Sequence, residues 1–167
     1  MAPPRFQAGE IQRAHAGASG NVTGPTGAFA PCPSANPNEM EETMSDYAST
    51  ASRVNDPGIR ELYTVECRWQ AWLDVEAALA RAQAEIGMIP AEAAQAITAA
   101  AHLDLLDRAR IDEAFDRTAH TLVPLIWELS RKVGEPHGGW VHWGATTQNI
   151  MESGDLLILR KVHEKLR

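Results

Sequence analysis

The chain has 167 residues, of which 44% are hydrophobic and 22% charged, and this length suits one ordinary globular domain with a sizeable core. Its formal net charge is −7, and no Lys/Arg cluster is dense enough to drive counterion release, which argues against a nucleic acid partner. No apolar run approaches the roughly 20 residues that span a bilayer, and the start lacks a secretion signal. Together these features predict a cytoplasmic protein without a membrane partner.

Residues 1–44 are rich in Pro, Gly, Ala, Ser and Asn and show neither helical nor strand periodicity. Such a segment buries too little apolar surface to offset its ordering entropy, so we predict a disordered extension. Met40 and Met44 stand where this composition ends, which leaves a wrongly chosen start codon as an alternative to a functional tail. The two cysteines, Cys32 and Cys67, lack metal or redox spacing, and we predict two free thiols.

Helical patterns follow from residue 57 onward. A first helix of five or six turns, ending near Gly87, is predicted by a stripe of apolar residues at helical spacing. The stripe consists of Leu62, Val65, Trp69, Trp72, Leu73, Leu79 and Ile86. Pro90 opens a second helix, and residues 107–115 form a short third. A fourth runs from Leu122 to Val133 with Thr121 as its N-cap. No run has strand periodicity, so the predicted fold is all-α, with an N-terminal helical domain over residues 45–139.

The last helix, predicted from Ile150 to Leu166, carries apolar side chains around most of its circumference at residues 156–159. A helix of this kind is normally surrounded by neighbours. Since the sequence given supplies no later helices, the pattern predicts either a fragment or a chain that completes its core in an oligomer. Residues 140–167 would then be a binding loop followed by the first, truncated helix of a bundle.

A polar turn immediately precedes this last helix and carries His142, Thr146, Thr147 and Gln148. The unpaired N–H groups and the dipole of a helix start attract anions, so these residues predict a carboxylate site. His120 similarly precedes the fourth helix, where an imidazole can act as an acid or base. The alternative is local: either histidine can be a cap or a solvated loop residue, and the threonines are ordinary N-cap residues.

Other polar and aromatic residues suggest structural roles. His137 and His142 lack further ligands at zinc-like spacing, so no metal or other cofactor is predicted. Glu76 interrupts the apolar stripe of the first helix, and an ion pair with Arg68 or Arg81 is the favoured interpretation. Three tryptophans are expected in the core: Trp69, Trp72 and Trp127. The other two, Trp140 and Trp143, flank His142 and could form the wall of a pocket.

Three segments in order, residues 72–80, 87–94 and 142–149, closely resemble the N-terminal part of the fumarase/aspartase superfamily. Within it the likeness is to the branch of adenylosuccinate lyase and 3-carboxy-cis,cis-muconate cycloisomerase, and it covers roughly residues 50–167. The resemblance implies a mostly helical homotetramer without a cofactor. It also implies β-elimination, or its reverse, on a di- or tricarboxylate substrate.

The resemblance also suggests roles for particular residues. His120 corresponds to a histidine to which acid catalysis has been assigned, and Thr121 stands where adenylosuccinate lyases carry a substrate-contacting Asp. Thr146 and Thr147 fall on a Thr-Ser pair that binds a substrate carboxylate, and His142 on a histidine of the substrate pocket. Gln148 extends this binding segment.

Departures from the family pattern affect the expected substrate. Arg53 falls in a segment that grips a nucleotide phosphate in adenylosuccinate lyases, but Val54 replaces its tyrosine. Ala145 stands where the purine enzymes usually have Leu, and Asn149 where both groups commonly have Asp. These changes favour a cycloisomerase-like or other non-purine substrate.

In complete family members the second histidine segment and the serine loop that removes the proton lie well beyond position 167. The resemblance therefore predicts an N-terminal portion of a lyase or cycloisomerase that is inactive alone and needs a C-terminal half or oligomeric partners. The alternative is a non-catalytic helical interaction module or a decayed gene product.

Overall fold

The computed structural model describes residues 55–167, and every structural statement below concerns this part of the chain. The predicted extension, Arg53 and Cys32 lie outside it. Three short 3-10 turns and five α-helices make up the described fold: α1 (Val65–Glu85), α2 (Ala91–Ala100), α3 (Arg108–Thr118), α4 (Val123–Val133) and α5 (Thr147–Lys165). Residues 55–167 contain no strand, and the all-α prediction is confirmed.

The longest helix, α1, organises the others. It begins where the Thr64 hydroxyl accepts a hydrogen bond from the Cys67 N–H at 3.3 Å, and it ends before Gly87, whose φ of 72° lies in the left-handed region. Its buried face packs on α2 and α5, with Trp69, Trp72, Leu73 and Ala77 in the core. Trp69 and Trp72 are thus core residues, as predicted.

The contact between α1 and α5 depends on the absence of a side chain. A Cβ at Gly154 would lie 2.4 Å from Cδ1 of Trp72, which is closer than real Cβ contacts come. The buried residues of α5 recur every four positions at Ile150, Gly154 and Ile158 and form one narrow contact face. α5 therefore lies directly on the indole of α1.

The second layer consists of α3 and α4. Asp107 caps α3 through its carboxylate, which accepts the Arg110 N–H, and Leu125 and Leu129 of α4 are fully buried. Trp127, however, is 52% exposed, so its predicted core position is wrong. The reason is helical periodicity, because residue 127 projects roughly 160–200° away from the face that carries residues 125 and 129.

Much of the apolar surface of α5 remains exposed within the described chain. Leu156, Leu159 and Leu166 are each more than half exposed, in keeping with the predicted apolar circumference. None of the helices between residues 55 and 167 is long and apolar enough to cross a membrane.

Cys67 is buried and disulfide-bonded, so the predicted free thiol there is wrong, because cysteine spacing alone does not reveal pairing.

Candidate functional site

The turn that leads into α5 reverses the chain through two residues in the left-handed region. His142 has a φ of 60° and Gly144 a φ of 65°, following the 3-10 turn Gly138–Trp140. Glycine adopts this conformation freely, and histidine is among the few other residues that tolerate it. The backbone of His142 is therefore set by the fold around it rather than by its own preference.

Two contacts hold this turn against α1. The side-chain amide of Gln83, which is 7% exposed, donates a hydrogen bond from Nε2 to the carbonyl oxygen of Trp143 at 2.7 Å. The indole rings of Trp140 and Trp143 meet edge to face, with centroids 4.8 Å apart. The turn is thus held on α1 by a hydrogen bond and stabilised by the contact between its two indole rings.

His142 pairs with Glu76, in the middle of α1. Nδ1 of His142 lies 2.6 Å from Oε1 of Glu76, whose side chain is 2% exposed, while Oε2 is buried without a hydrogen-bond partner among residues 55–167. The predicted arginine partners are wrong. Arg68 pairs instead with Asp155 at 3.4 Å, and neither Arg68 nor Arg81 is spaced three or four positions from residue 76, where helical neighbours meet.

Thr146 and Thr147 stand at the start of α5. Thr146 is the N-cap residue, but its hydroxyl makes no capping hydrogen bond. The carbonyl of Thr146 accepts the Asn149 N–H at 3.1 Å, and within residues 55–167 no backbone acceptor is found for the N–H groups of Thr147 and Gln148. The Gln148 amide bonds Glu152 of the next turn at 2.7 Å. The helix start thus offers free hydroxyls and free N–H groups to an anion.

His120 caps α4. Its Nδ1 accepts hydrogen bonds from the backbone N–H groups of Leu122 and Val123 at 3.2 and 3.3 Å. The local-cap alternative is confirmed for this histidine, whereas the prediction that Thr121 is the N-cap is wrong. Ala119, with a φ of 50°, turns the chain sharply after α3 and directs the imidazole rather than the Thr121 hydroxyl at the helix start.

An acceptor role at Nδ1 fixes where the proton of His120 lies. A nitrogen that accepts two N–H groups carries no proton itself, so the neutral ring carries its proton on Nε2. Nε2 is then a donor that faces away from the backbone. His120 can therefore polarise a bound group while it caps α4, but gaining a second proton would break the cap.

The structure brings the predicted site residues together in two segments. His142, Thr146, Thr147 and Gln148 share one turn and helix start, and the Thr121 hydroxyl lies 3.9 Å from Sδ of Met151, one turn further along α5. No hydrogen bond joins His120 to the α5 segment within residues 55–167. Arg53 lies outside the described residues.

Two surface concavities lie elsewhere in the described chain. One, of about 550 Å³, follows the exposed face of α5 from Leu156 to Leu166, and another, of about 600 Å³, lies between α1 and α2 beside His102. Neither is lined by His142, Thr146 or Thr147.

Sequence reasoning missed how Glu76 and Gln83 contribute. Gln83 follows Glu76 by two helical turns, so both side chains emerge from one face of α1 and reach the same turn. Two long polar residues on an otherwise buried helical face are the signal that could have linked them. Without the fold, nothing in that signal names the turn at residues 142–143 as their partner.

Comparisons with known proteins agree on one family. No family model matches the chain. Adenylosuccinate lyase of Methanothermobacter thermautotrophicus is 36% identical over 115 residues, which cover 69% of this chain and 26% of the relative. N-acetyl-S-(2-succino)cysteine lyase of Enterococcus italicus is 40% identical over 124 residues, 74% of this chain and 27% of the relative. The chain belongs to the fumarase/aspartase superfamily.

Solved structures of this superfamily match as well. Fumarate lyase from Mesorhizobium gives a TM-score of 0.58 at 39% identity, and 3-carboxy-cis,cis-muconate lactonizing enzyme from Pseudomonas putida gives 0.59 at 37%. Each match covers 64% of this chain and 25% of the other. This member of the superfamily therefore spans about a quarter of the length of the relatives it matches.

Proposed function

We propose that this chain is the N-terminal part of a superfamily lyase or cycloisomerase that binds a di- or tricarboxylate substrate. The reaction would be β-elimination or its reverse, in which a base removes a proton beside a carboxylate and an acid meets the leaving atom. The relatives named above are lyases and a lactonizing enzyme, and they support this reaction class. The departures at Val54 and Ala145 favour a non-purine substrate.

The single observation that carries this proposal is the uncapped start of α5. Thr146 leaves its own hydroxyl free, and the N–H groups of Thr147 and Gln148 have no backbone acceptor within the described residues. An anion at this position would receive several hydrogen bonds and the favourable end of the helix dipole. We propose that a substrate carboxylate binds there, with Gln148 and Thr121 at its margin.

In this proposal His120 is the catalytic residue. Its Nε2 carries a proton while Nδ1 is occupied by the backbone, so it would donate a hydrogen bond to a substrate atom that gains negative charge. Thr121 extends from the same segment to Met151 of α5, which brings the two segments side by side. Arg53 would contribute a further positive charge. No cofactor takes part in the proposed reaction.

The proposal is tested by binding. Fumarate is titrated into the 167-residue chain while backbone amide chemical shifts are followed by NMR, and we expect the largest shifts at residues 146–149. Replacing both threonines, T146V and T147V, removes the hydroxyls at little change in volume. We expect affinity to fall roughly a hundredfold, since each of the two hydrogen bonds to a charged group contributes about 1.5 kcal/mol.

Thr98 provides a matched control. It lies in α2, away from α5, and its hydroxyl is buried without a partner among residues 55–167, so T98V makes the same chemical change away from the candidate site. We expect this variant to bind fumarate like the unaltered chain. Shifts that avoid residues 146–149, or equal affinity in the T146V/T147V and T98V variants, would contradict the proposed site.

We also propose that the isolated chain binds substrate without turnover and acts in a cytoplasmic homo-oligomer, of which a tetramer is the expected form, or with a separate C-terminal half. The reason is coverage, because the matched part of this chain corresponds to only about a quarter of each relative. Elimination from adenylosuccinate and lactonisation of carboxymuconate are the assays. Turnover by the chain alone would defeat this part of the proposal.

A second candidate is a non-catalytic helical interaction module, and the exposed face of α5 favours it. Leu156, Leu159 and Leu166 form an apolar surface of the kind that packs against other helices in a bundle. Under this alternative residues 140–167 would serve association alone. The two candidates differ in the titration above, since a pure interaction module would show no fumarate shifts at the start of α5.

A further inference from the structure

The pair formed by Glu76 and His142 is the most unusual feature of the described core. Glu76 lies in the middle of a 21-residue helix with only 2% of its side chain exposed, and within residues 55–167 its one side-chain hydrogen-bond partner is an imidazole. A carboxylate in such a place costs free energy unless it is compensated. Replacing it by an apolar residue of similar volume would satisfy packing equally well, so stability alone does not account for Glu76.

With Glu76 ionised, its contact with His142 determines which nitrogen of the imidazole carries a proton. An ionised carboxylate can only accept, so Nδ1, at 2.6 Å from Oε1, is then the donor. The neutral ring then has its lone pair on Nε2, which makes no hydrogen bond among residues 55–167. Free imidazole has no such constraint, and the tautomer of a histidine is set by the bond that its other nitrogen makes.

The direction of the ring is fixed along with the tautomer. The Gln83 hydrogen bond to Trp143 holds the following residue on the same helix, and the left-handed backbone of His142 turns its side chain towards α1. Nδ1 thus points inward to Glu76. Nε2, at the opposite edge of the ring, points away from α1 on the turn that begins α5.

We infer that Glu76 is a positioning residue, which holds His142 with Nε2 as a hydrogen-bond acceptor for a donor group of the substrate. This inference rests on the proposed function and adds a division of roles to it. The start of α5 takes the carboxylate, whereas His142 takes an N–H or O–H group elsewhere on the same molecule. A lone pair on Nε2 would repel a carboxylate, so His142 discriminates among carboxylates by their donor groups.

The decisive measurement is the tautomer of His142, observed without any ligand. In the uniformly 15N-labelled 167-residue chain, two-bond proton–nitrogen correlations at mildly alkaline pH distinguish the two neutral forms. We expect the proton on Nδ1 of His142 and, as an internal reference, on Nε2 of His120. A proton on Nε2 of His142 in the unaltered chain overturns the inference, whatever any variant does.

Substituting Glu76 tests whether this residue sets the tautomer. E76L replaces the acceptor with an apolar side chain of similar volume, so we expect a folded protein in which the proton moves to Nε2. E85L makes the same change at an exposed position of α1 and should leave the tautomer unchanged. Retention of the proton on Nδ1 in E76L would show that another group orients the ring and would overturn the inference.

A pair of ligands then tests the substrate consequence. Succinate carries two carboxylates and no donor, whereas aspartate adds an ammonium group that can only donate. We expect the unaltered chain and E85L to favour aspartate about fivefold, the contribution of one hydrogen bond, and E76L to lose that preference. Equal preference in all three proteins contradicts the division of roles. Binding of neither ligand contradicts the proposed function, and the ligand-free tautomer still decides the role of Glu76.

Discussion

His120 and His142 are alike in the sequence, since each stands in the segment that leads into a helix, but the structure uses them in opposite ways. Nδ1 of His120 accepts two backbone N–H groups, whereas Nδ1 of His142 meets a buried carboxylate. The imidazole of His120 therefore stabilises α4, the helix that follows it, whereas the imidazole of His142 is held by α1, which is distant in the sequence. The comparison teaches that position relative to a helix does not determine the role of a histidine. That role depends on the groups that contact its Nδ1.

The largest expected difference between the two segments is in stability. His142→Ala leaves Glu76 buried without a partner, and we expect it to lower the free energy of unfolding by about 3 kcal/mol. Chemical denaturation measures this. In the double variant with E76L most of the loss should be recovered, because the uncompensated carboxylate is gone. A loss in His142→Ala smaller than that in His120→Ala would reverse the comparison.

Gln83→Leu tests whether a hydrogen bond next to His142 holds the turn against α1. The substitution removes the bond to the Trp143 carbonyl and leaves that carbonyl unsatisfied, so we expect a loss of about 1.5 kcal/mol. It also removes the buried Oε1 of Gln83, which has no partner and partly offsets the loss. Amide hydrogen exchange should increase at residues 142–145 and remain unchanged around His120. Uniform exchange changes would argue against a local anchor.

His120→Ala removes only a helix cap. We expect a loss of about 1 kcal/mol, with faster amide exchange confined to the first turn of α4 at residues 122–124. His120→Asn is the matched control, since asparagine is a good capping residue and should restore most of the stability. If both variants are equally unstable, the imidazole contributes packing rather than a cap.

The smallest expected effects concern pH and have opposite signs near the two segments. In α4 the hydrogen-bonded Arg131 guanidinium holds the pKa of Glu128 below its ordinary value, and the Asp107 N–H adds to this. In α1 burial raises the pKa of Asp74, against the hydrogen bond from Gln70. A lowered folded pKa stabilises the fold above the unfolded pKa, and a raised one costs stability there.

We therefore expect Glu128→Gln to destabilise the chain at neutral pH by about 1 kcal/mol, and the difference to vanish as pH falls through the folded pKa of Glu128. Asp74→Asn should stabilise it slightly at neutral pH, and this gain should vanish below the ordinary pKa of an aspartate. Thermal unfolding across pH measures both. Changes of the same sign would contradict the assignment.

The fold followed from the sequence because its signals are local. The apolar stripe of α1, the proline before α2 and the glycine after α4 each act within one or two turns, and the predicted helix ends lie within about three residues of the observed ones. The partner of Glu76 was not predictable in that way. It lies 66 positions away, on a turn whose backbone conformation arises from packing, and spacing along α1 could suggest only neighbouring arginines. Trp127 failed for a related reason, since composition marked it as apolar while its angular position exposed it.

The missing side chain at Gly154 has a consequence for the distance between the two helices that build the site. Because the indole of Trp72 occupies that space, it sets the closest distance at which α5 can pack on α1. Thr147 lies roughly 10 Å along the helix axis from this contact. We expect a methyl group at position 154 to push α5 away from the indole. This would increase the distance between the two threonines and the imidazole of His142, which α1 holds in place.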